Sequence, residues 1–182
     1  MTHYILFTGH MIDKAGRPKE RFPAYKEHDA RIKIKDKLSE AINNADASFM
    51  GIAGGACGGD ILFHELCIEL GIPSTVYLAL PPAEFKKASV SFAGQTWDER
   101  FDHLLQVVPF SILAANEDKS LTIWEQANLW MLDDALKSGG ENMNLIALWD
   151  GQGGDDKGGT QHMVEKAREM SADVEVVRID EI

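Results

Sequence analysis

Between Gly51 and Asp60 the chain carries five glycines in ten positions, at 51, 54, 55, 58 and 59. A short apolar run, residues 47–52, leads into them, and an amphipathic pattern from Asp60 to Leu70 leads out. Strand, glycine-rich turn and helix N-terminus in that order suit an anion. Glycine admits positive φ and close approach of a ligand, and the first helical turn presents N–H groups that have no partner inside the helix. A second copy follows later. Asn144 to Trp149 reads as a buried strand, Asp150 to Gly159 as a loop, and Gln161 to Met170 as a helix with Thr160 as its N-cap or first residue. Two such devices in one small chain imply two ends of one ligand, or two of its phosphates. The plainer alternative is a pair of tight strand-to-helix turns with no ligand. On the ligand reading the contacts are Gly54, Gly55, Gly58, Gly59, Gly158, Gly159 and Thr160.

Several side chains near these loops could do chemistry. Asp60 is either the N-cap of the helix it opens, a contribution of about 1 kcal/mol, or a ligand residue that hydrogen-bonds a ribose hydroxyl or holds a metal. It would repel a phosphate directly, which favours the ribose or cap role. His64, four residues on, shares the helical face of Asp60, which makes it the better pocket residue. Glu65 falls around the helix and is a general-base candidate only if it faces the pocket; otherwise it is solvated surface. Asp60 and Glu65 are thus the two catalytic candidates. Cys57 lies inside the loop, where helix N–H groups would lower its pKa, but no partner base is evident, and a small residue fitting a turn is the simpler reading. Trp124 and Asn128 stand at i and i+4 on a later helix. Together they could stack on a base and read its edge, or they could be core and a satisfied buried amide.

These residues need elements to hold them. Tyr4 to Thr8 is a compact apolar run ending at Gly9, read as a central strand, and a polar loop follows from Gly9 to Pro23. Helices are predicted over Ala24–Asn44, Asp60–Leu70, Thr122–Lys137 and Gln161–Met170, with short helices between 83 and 108. Further strands are predicted at Ser74–Leu80, weakly at Ser111–Ala114, and at Val174–Ile179. Helices alternating with apolar strands define an α/β, doubly wound Rossmann-like domain, with a mostly parallel sheet flanked by helices and residues 1–182 as a single unit. The two glycine loops should then lie at the C-terminal ends of adjacent or near-adjacent strands.

The bulk properties narrow the partners. The 182 residues are 45% apolar and 26% charged, as in a globular domain with a substantial core. A net charge of −11 argues against nucleic acid, whose binding needs phosphates neutralised by Lys and Arg. Local basic clusters do occur; Lys14, Arg17, Lys19 and Arg21 lie in the loop after the first strand, where they could face a ligand. No run of transmembrane length and no signal-peptide pattern is present, so a cytoplasmic protein without a membrane role is expected. The two cysteines, Cys57 and Cys67, lack zinc-site spacing, and no metal site is predicted.

The run Gly55-Ala56-Cys57-Gly58-Gly59-Asp60, followed by His64, resembles the Gly-Ala-x-Gly-x-Asp-x-x-x-His signature of the DNA-processing protein A family, part of the SLOG superfamily of Rossmann-like domains. Thr8-Gly9-His10 after the first strand, and Ala147 to Gly151 followed by Lys157-Gly158-Gly159-Thr160, resemble small SLOG proteins too. The resemblance spans nearly the whole chain in element order, though most matched positions are glycines. It implies a nucleotide or nucleotide-derived ligand, adds Thr8, Gly9 and His10 to the contacts, and makes Mg2+ a candidate companion of that ligand. The Lonely Guy branch of the superfamily hydrolyses nucleotide N-glycosidic bonds with a Pro-Gly-Gly-x-Gly-Thr-x-x-Glu motif. Here Met163 stands three residues after Thr160 and Phe63 three after Asp60, so the catalytic carboxylate is missing from its expected place. The expectation is therefore binding or sensing, of a signalling kind, with a nucleotide hydrolase as the alternative. A homodimer is a candidate assembly for a domain of this size.

Overall fold

The computed structural model describes residues 2–43, 47–114, 120–152 and 159–182. Six strands, β1 (Thr2–Gly9), β2 (Ser48–Ala53), β3 (Ser74–Leu78), β4 (Phe110–Ile112), β5 (Met143–Trp149) and β6 (Asp173–Arg178), form one sheet. Its order is β4-β3-β2-β1-β5-β6, and every neighbouring pair is parallel. The helices are α1 (Glu27–Asn43), α2 (Gly59–Leu70), α3 (Pro82–Ser89), α4 (Gln95–Val107), α5 (Ile123–Ala135) and α6 (Thr160–Glu169). This is the doubly wound, Rossmann-like α/β architecture that the alternation of elements predicts.

The sheet explains the strand compositions. In β1, Ile5, Leu6 and Phe7 are all fully buried because the strand has neighbours on both edges and helices on both faces. Successive side chains then feed two cores. Ile5, Phe7, Ile146 and Leu148 pack with Ile34 and Leu38 of α1 and with Ile61, Phe63 and Leu66 of α2. Leu6, Leu145 and Ala147 pack with Met131 and Leu132 of α5 and with Met163, Val164 and Ala167 of α6. Local signals close the helices. Gly71 adopts φ 69° after α2, and the Ile72 N–H returns to the Cys67 carbonyl at 2.8 Å, a left-handed C-terminal cap. At the start of α5, the Glu125 N–H donates to Thr122 Oγ1 and the Thr122 N–H donates to the Glu125 carboxylate, a reciprocal capping box.

Strand order reverses direction between β1 and β5: from β1 the chain builds outward through β2, β3 and β4, then returns to add β5 and β6 on the other side. Crevices outside the C-terminal ends of strands at such a switch point are where open α/β sheets bind ligands. Among the described residues, no helix is long and apolar enough to cross a membrane.

Candidate functional site

A cavity of about 360 Å³ opens at this C-terminal edge. The ends of β1 and β2 supply Thr8, Gly9, His10 and Gly54; α2 supplies Asp60; α5 supplies Trp124 and Asn128; the first turn of α6 supplies Gly159, Thr160 and Gln161. The first glycine loop, after β2, and the described ends of the second, residues 150–152 after β5 and Gly159 before α6, lie at this edge, with β1 between β2 and β5. Of the residues singled out in the sequence, Thr8, Gly9, His10, Gly54, Asp60, Asn128, Gly159 and Thr160 line the one cavity. Gly158 lies outside the described residues.

The two loops are not equivalent, which corrects the expectation of two like anion seats. Residues 10–12 run across the first loop and pair with it, and three of its N–H groups have partners within the protein. The Gly59 N–H donates to the His10 carbonyl at 3.2 Å, and the Ile12 N–H donates to the Cys57 carbonyl at 3.2 Å. Met11 and Gly58 thereby form an antiparallel bridge. The Cys57 N–H goes to the Ser89 carbonyl at 3.0 Å, and the Ala56 N–H to Asp60 Oδ2 at 3.2 Å. Gly55, Gly58 and Gly59 accordingly sit behind the cavity wall. A Cβ at Gly55 would meet Phe101 at 3.1 Å, and one at Gly59 would meet Phe7 at 2.9 Å. These glycines serve close packing. The α6 end differs: its N-cap, Gly159, and its first helical residue, Thr160, both line the cavity. The first turn of this helix, with Thr160 8% exposed, thus borders the space a ligand would fill.

Two helix residues are corrected. His64 is fully buried beneath the loop, with Nδ1 3.0 Å from Ser74 Oγ and Nε2 3.1 Å from the Gly54 carbonyl. Burial lowers its pKa to about 4, so it is a neutral strut tying α2 to the ends of β2 and β3. It shares a helical face with Asp60, as the spacing requires, but that face turns inward one turn on. Glu65 points to the outer surface. Arg100 of α4 grips it through Nε and Nη2, both at 2.8 Å, while Arg31 of α1 approaches at 3.3 Å. Arg100 also reaches Glu27 at 2.7 Å and stacks on Trp97 at 3.9 Å. Glu65 holds three helices together and does not border the cavity. Cys57 is buried and its thiol is pushed up to about 12 by desolvation, opposite to the lowering expected at a helix N-terminus. Cys67 is core.

Asp60 is not the N-cap of α2; Gly58 is. Its carboxylate folds back onto the Ala56 N–H and lies against Gly54, where a Cβ would come within 2.5 Å of Oδ2. Burial pushes its pKa up to about 7. Trp124, the alternative core residue, is instead 37% exposed on the cavity rim, edge-on to Phe85 at 5.9 Å.

One residue that sequence reasoning did not single out anchors two that line the cavity, His10 and Arg21, the latter one of the basic loop residues expected to face a ligand. Asp150, immediately after β5, is buried and has His10 Nε2 3.1 Å from Oδ1 and Arg21 Nε 3.8 Å from Oδ2. Burial opposes its charge, but the Gln152 N–H, His10 and Arg21 outweigh it and hold the pKa below the ordinary carboxylate value. For His10, burial is the largest influence and lowers the pKa below 6.5 despite Asp150. The available signal was position: a carboxylate directly after the strand across the switch point from β1. Among the described residues, no group of three or more His, Cys, Asp or Glu is placed to hold a metal ion.

No protein-family model matches the chain, and a search of curated proteins gives no match.

Proposed function

We propose that the cavity binds a nucleotide or a nucleotide-derived ligand, and that the protein works as a binding or sensing domain. One observation carries the reading: at the switch point, a single cavity joins the N-terminus of α6 to an aromatic wall. The α6 end at Gly159 and Thr160 suits a phosphate. Trp124, Phe85 and Tyr77 offer ring surface to a base, and Thr8 at the end of β1 offers a hydroxyl to its edge or to a ribose. The volume falls in the usual range for small-molecule sites. Calorimetry against purine and pyrimidine nucleotides tests the proposal. Base stacking on an aromatic ring contributes about 1–3 kcal/mol, so Trp124→Ala is expected to weaken the best binder by roughly 5- to 150-fold. No heat with any nucleotide would overturn the reading.

Hydrolysis of the nucleotide's N-glycosidic or phosphate bond stands as a second reading. It is favoured by Asp60, a cavity carboxyl that titrates near neutrality and so suits general acid–base work. The position of Glu65 removes that residue from the chemistry. Overnight incubation with nucleoside monophosphates, followed by chromatography, is expected to show no protein-dependent release of base or phosphate. Glu65→Gln should leave nucleotide affinity within about twofold of wild type, because its effect is on the Arg100 network at the surface. Steady release that disappears in Asp60→Asn would establish the hydrolase instead.

A further inference from the structure

We infer that Asp60 enters the ligand site as a neutral carboxylic acid, donating its O–H to an acceptor atom of the ligand, so that binding is coupled to protonation of this one residue. The inference rests on the nucleotide reading above and reverses the role the sequence suggested, in which an ionised Asp60 accepts from a ribose hydroxyl.

The geometry argues for it in three ways. First, the carboxyl borders the cavity and, apart from the first turn of α2 in which it stands, has one hydrogen bond to stabilise a charge. Its described hydrogen bond is the single Ala56 N–H to Oδ2, at 3.2 Å, and the absence of a side chain at Gly54 leaves the space it occupies.

Second, among the described residues, the charged and titratable groups around it are committed elsewhere. On the cavity side, His10 and Arg21 both turn to Asp150. From the loop, Lys14 lies over the Phe92 ring at 4.9 Å, and Cys57 is a buried thiol. From β3, Tyr77 donates its O–H to Asp134 at 2.7 Å. On α2 itself, His64 is taken by Ser74 and the Gly54 carbonyl, and Glu65 by Arg100. The cavity residues of α3, α5 and α6, among them Ser89, Asn128, Thr160 and Gln161, are uncharged. Third, the same small cavity contains the α6 terminus, the seat proposed for a phosphate. An ionised Asp60 would place a second negative charge beside that anion in a poorly solvated space. A neutral acid removes the repulsion and supplies a donor. The upward displacement of its pKa to about 7 by burial means that this form costs little near neutral pH.

The test is calorimetry from pH 5.5 to 8.5 with the 5′-(methyl phosphate) esters of adenosine, guanosine, cytidine and uridine. These diesters keep one fixed charge across the range, so titration belongs to the protein. For the tightest binder, wild-type affinity is expected to be flat below about pH 6 and to fall above pH 7, approaching tenfold per pH unit, because only the protonated fraction is competent. Burial lowers the pKa of His10 from its ordinary 6.5, away from the fall expected above pH 7. The binding heat at pH 8 should depend on the buffer, showing uptake of close to one proton. Asp60→Asn, which donates an N–H without titrating, should bind within about threefold of the low-pH wild type and lose the pH dependence. Wild-type affinity that is constant or rises with pH, or a pH profile unchanged in Asp60→Asn, would overturn the inference while leaving the nucleotide reading intact. Failure of every nucleotide and every ester at all pH values would overturn both.

Discussion

Replacing Gly58 with valine is expected to cost about 3 kcal/mol or more of stability, and to abolish ligand binding only as a consequence. Gly58 sits at φ 98°, where a side chain is strained by roughly 1–3 kcal/mol before any contact is considered. Its Cβ would then lie 2.8 Å from the Ile12 nitrogen, 2.9 Å from the His10 carbonyl oxygen and 3.1 Å from the Met11 carbonyl carbon. All three are backbone atoms, so no rotamer change relieves the overlap. The Met11–Gly58 bridge has to open, and the Gly59 N–H and Ile12 N–H lose their partners. Because His10 belongs to the same segment, its contact with Asp150 across the switch point would be disturbed as well. Gly71→Ala separates conformational strain from collision. Gly71 also has positive φ, 69°, but a Cβ there has nothing within 4 Å, so this variant should cost only about 1 kcal/mol. Urea unfolding of the two variants is the measurement. If Gly58→Val unfolds at the wild-type midpoint, the close approach of the strap over the loop is wrong.

That contrast marks where sequence reading succeeds and where it stops. The six strands, the order of helices and the shared edge of the first glycine loop and the α6 N-terminus follow from signals within short windows: the apolar run at Tyr4–Thr8, the amphipathic pattern at Asp60–Leu70, and the glycine clusters before Asp60 and Thr160. The different fates of the two loops do not. Met11 and Gly58 are far apart in sequence, and nothing in either segment announces that one lies over the other. His64 was misplaced for a related reason. Helical spacing states that it shares a face with Asp60, but only packing under β2 and β3 decides that this face passes from cavity to core within one turn. Asp150 and Arg21 meet through tertiary structure alone. Trp124 shows the converse, since its i, i+4 relation to Asn128 was legible while its exposure on the rim was set by the packing of α5 over the cavity.

Asp60 and His64, one turn apart on α2, are expected to give stability opposite dependences on pH, each masking the other in the wild type. Asp60 has its pKa raised by burial from 3.8 to about 7. As pH rises through that interval, the unfolded chain releases the proton first, so folding loses stability between about pH 4 and 7 and is level beyond. His64 has its pKa lowered by burial from 6.5 to about 4. As pH falls through that interval, the unfolded chain takes up the proton first, so stability present above pH 6.5 is lost toward pH 4. The two slopes overlap and largely cancel. Substitution should expose them. Asp60→Asn removes the cost of a buried charge and is expected to be more stable than wild type by about 2–4 kcal/mol at pH 8, an advantage that shrinks to nothing near pH 4. The lower part of that range allows for the contact of Asp60 with the cavity. The variant's own stability should then fall visibly on acidification below pH 6.5, with His64 as the source. His64→Gln should be destabilised most at neutral pH, where the wild-type imidazole is neutral and bonded to Ser74 and Gly54, and the deficit should narrow toward pH 4.5. Comparing variants at each pH cancels the surface carboxylates that all of them share. Urea midpoints at half-unit intervals from pH 4.5 to 8 are the measurement. If Asp60→Asn runs parallel to wild type across that range, the carboxyl is not desolvated in the folded protein, and its role as a neutral donor in the cavity falls with it.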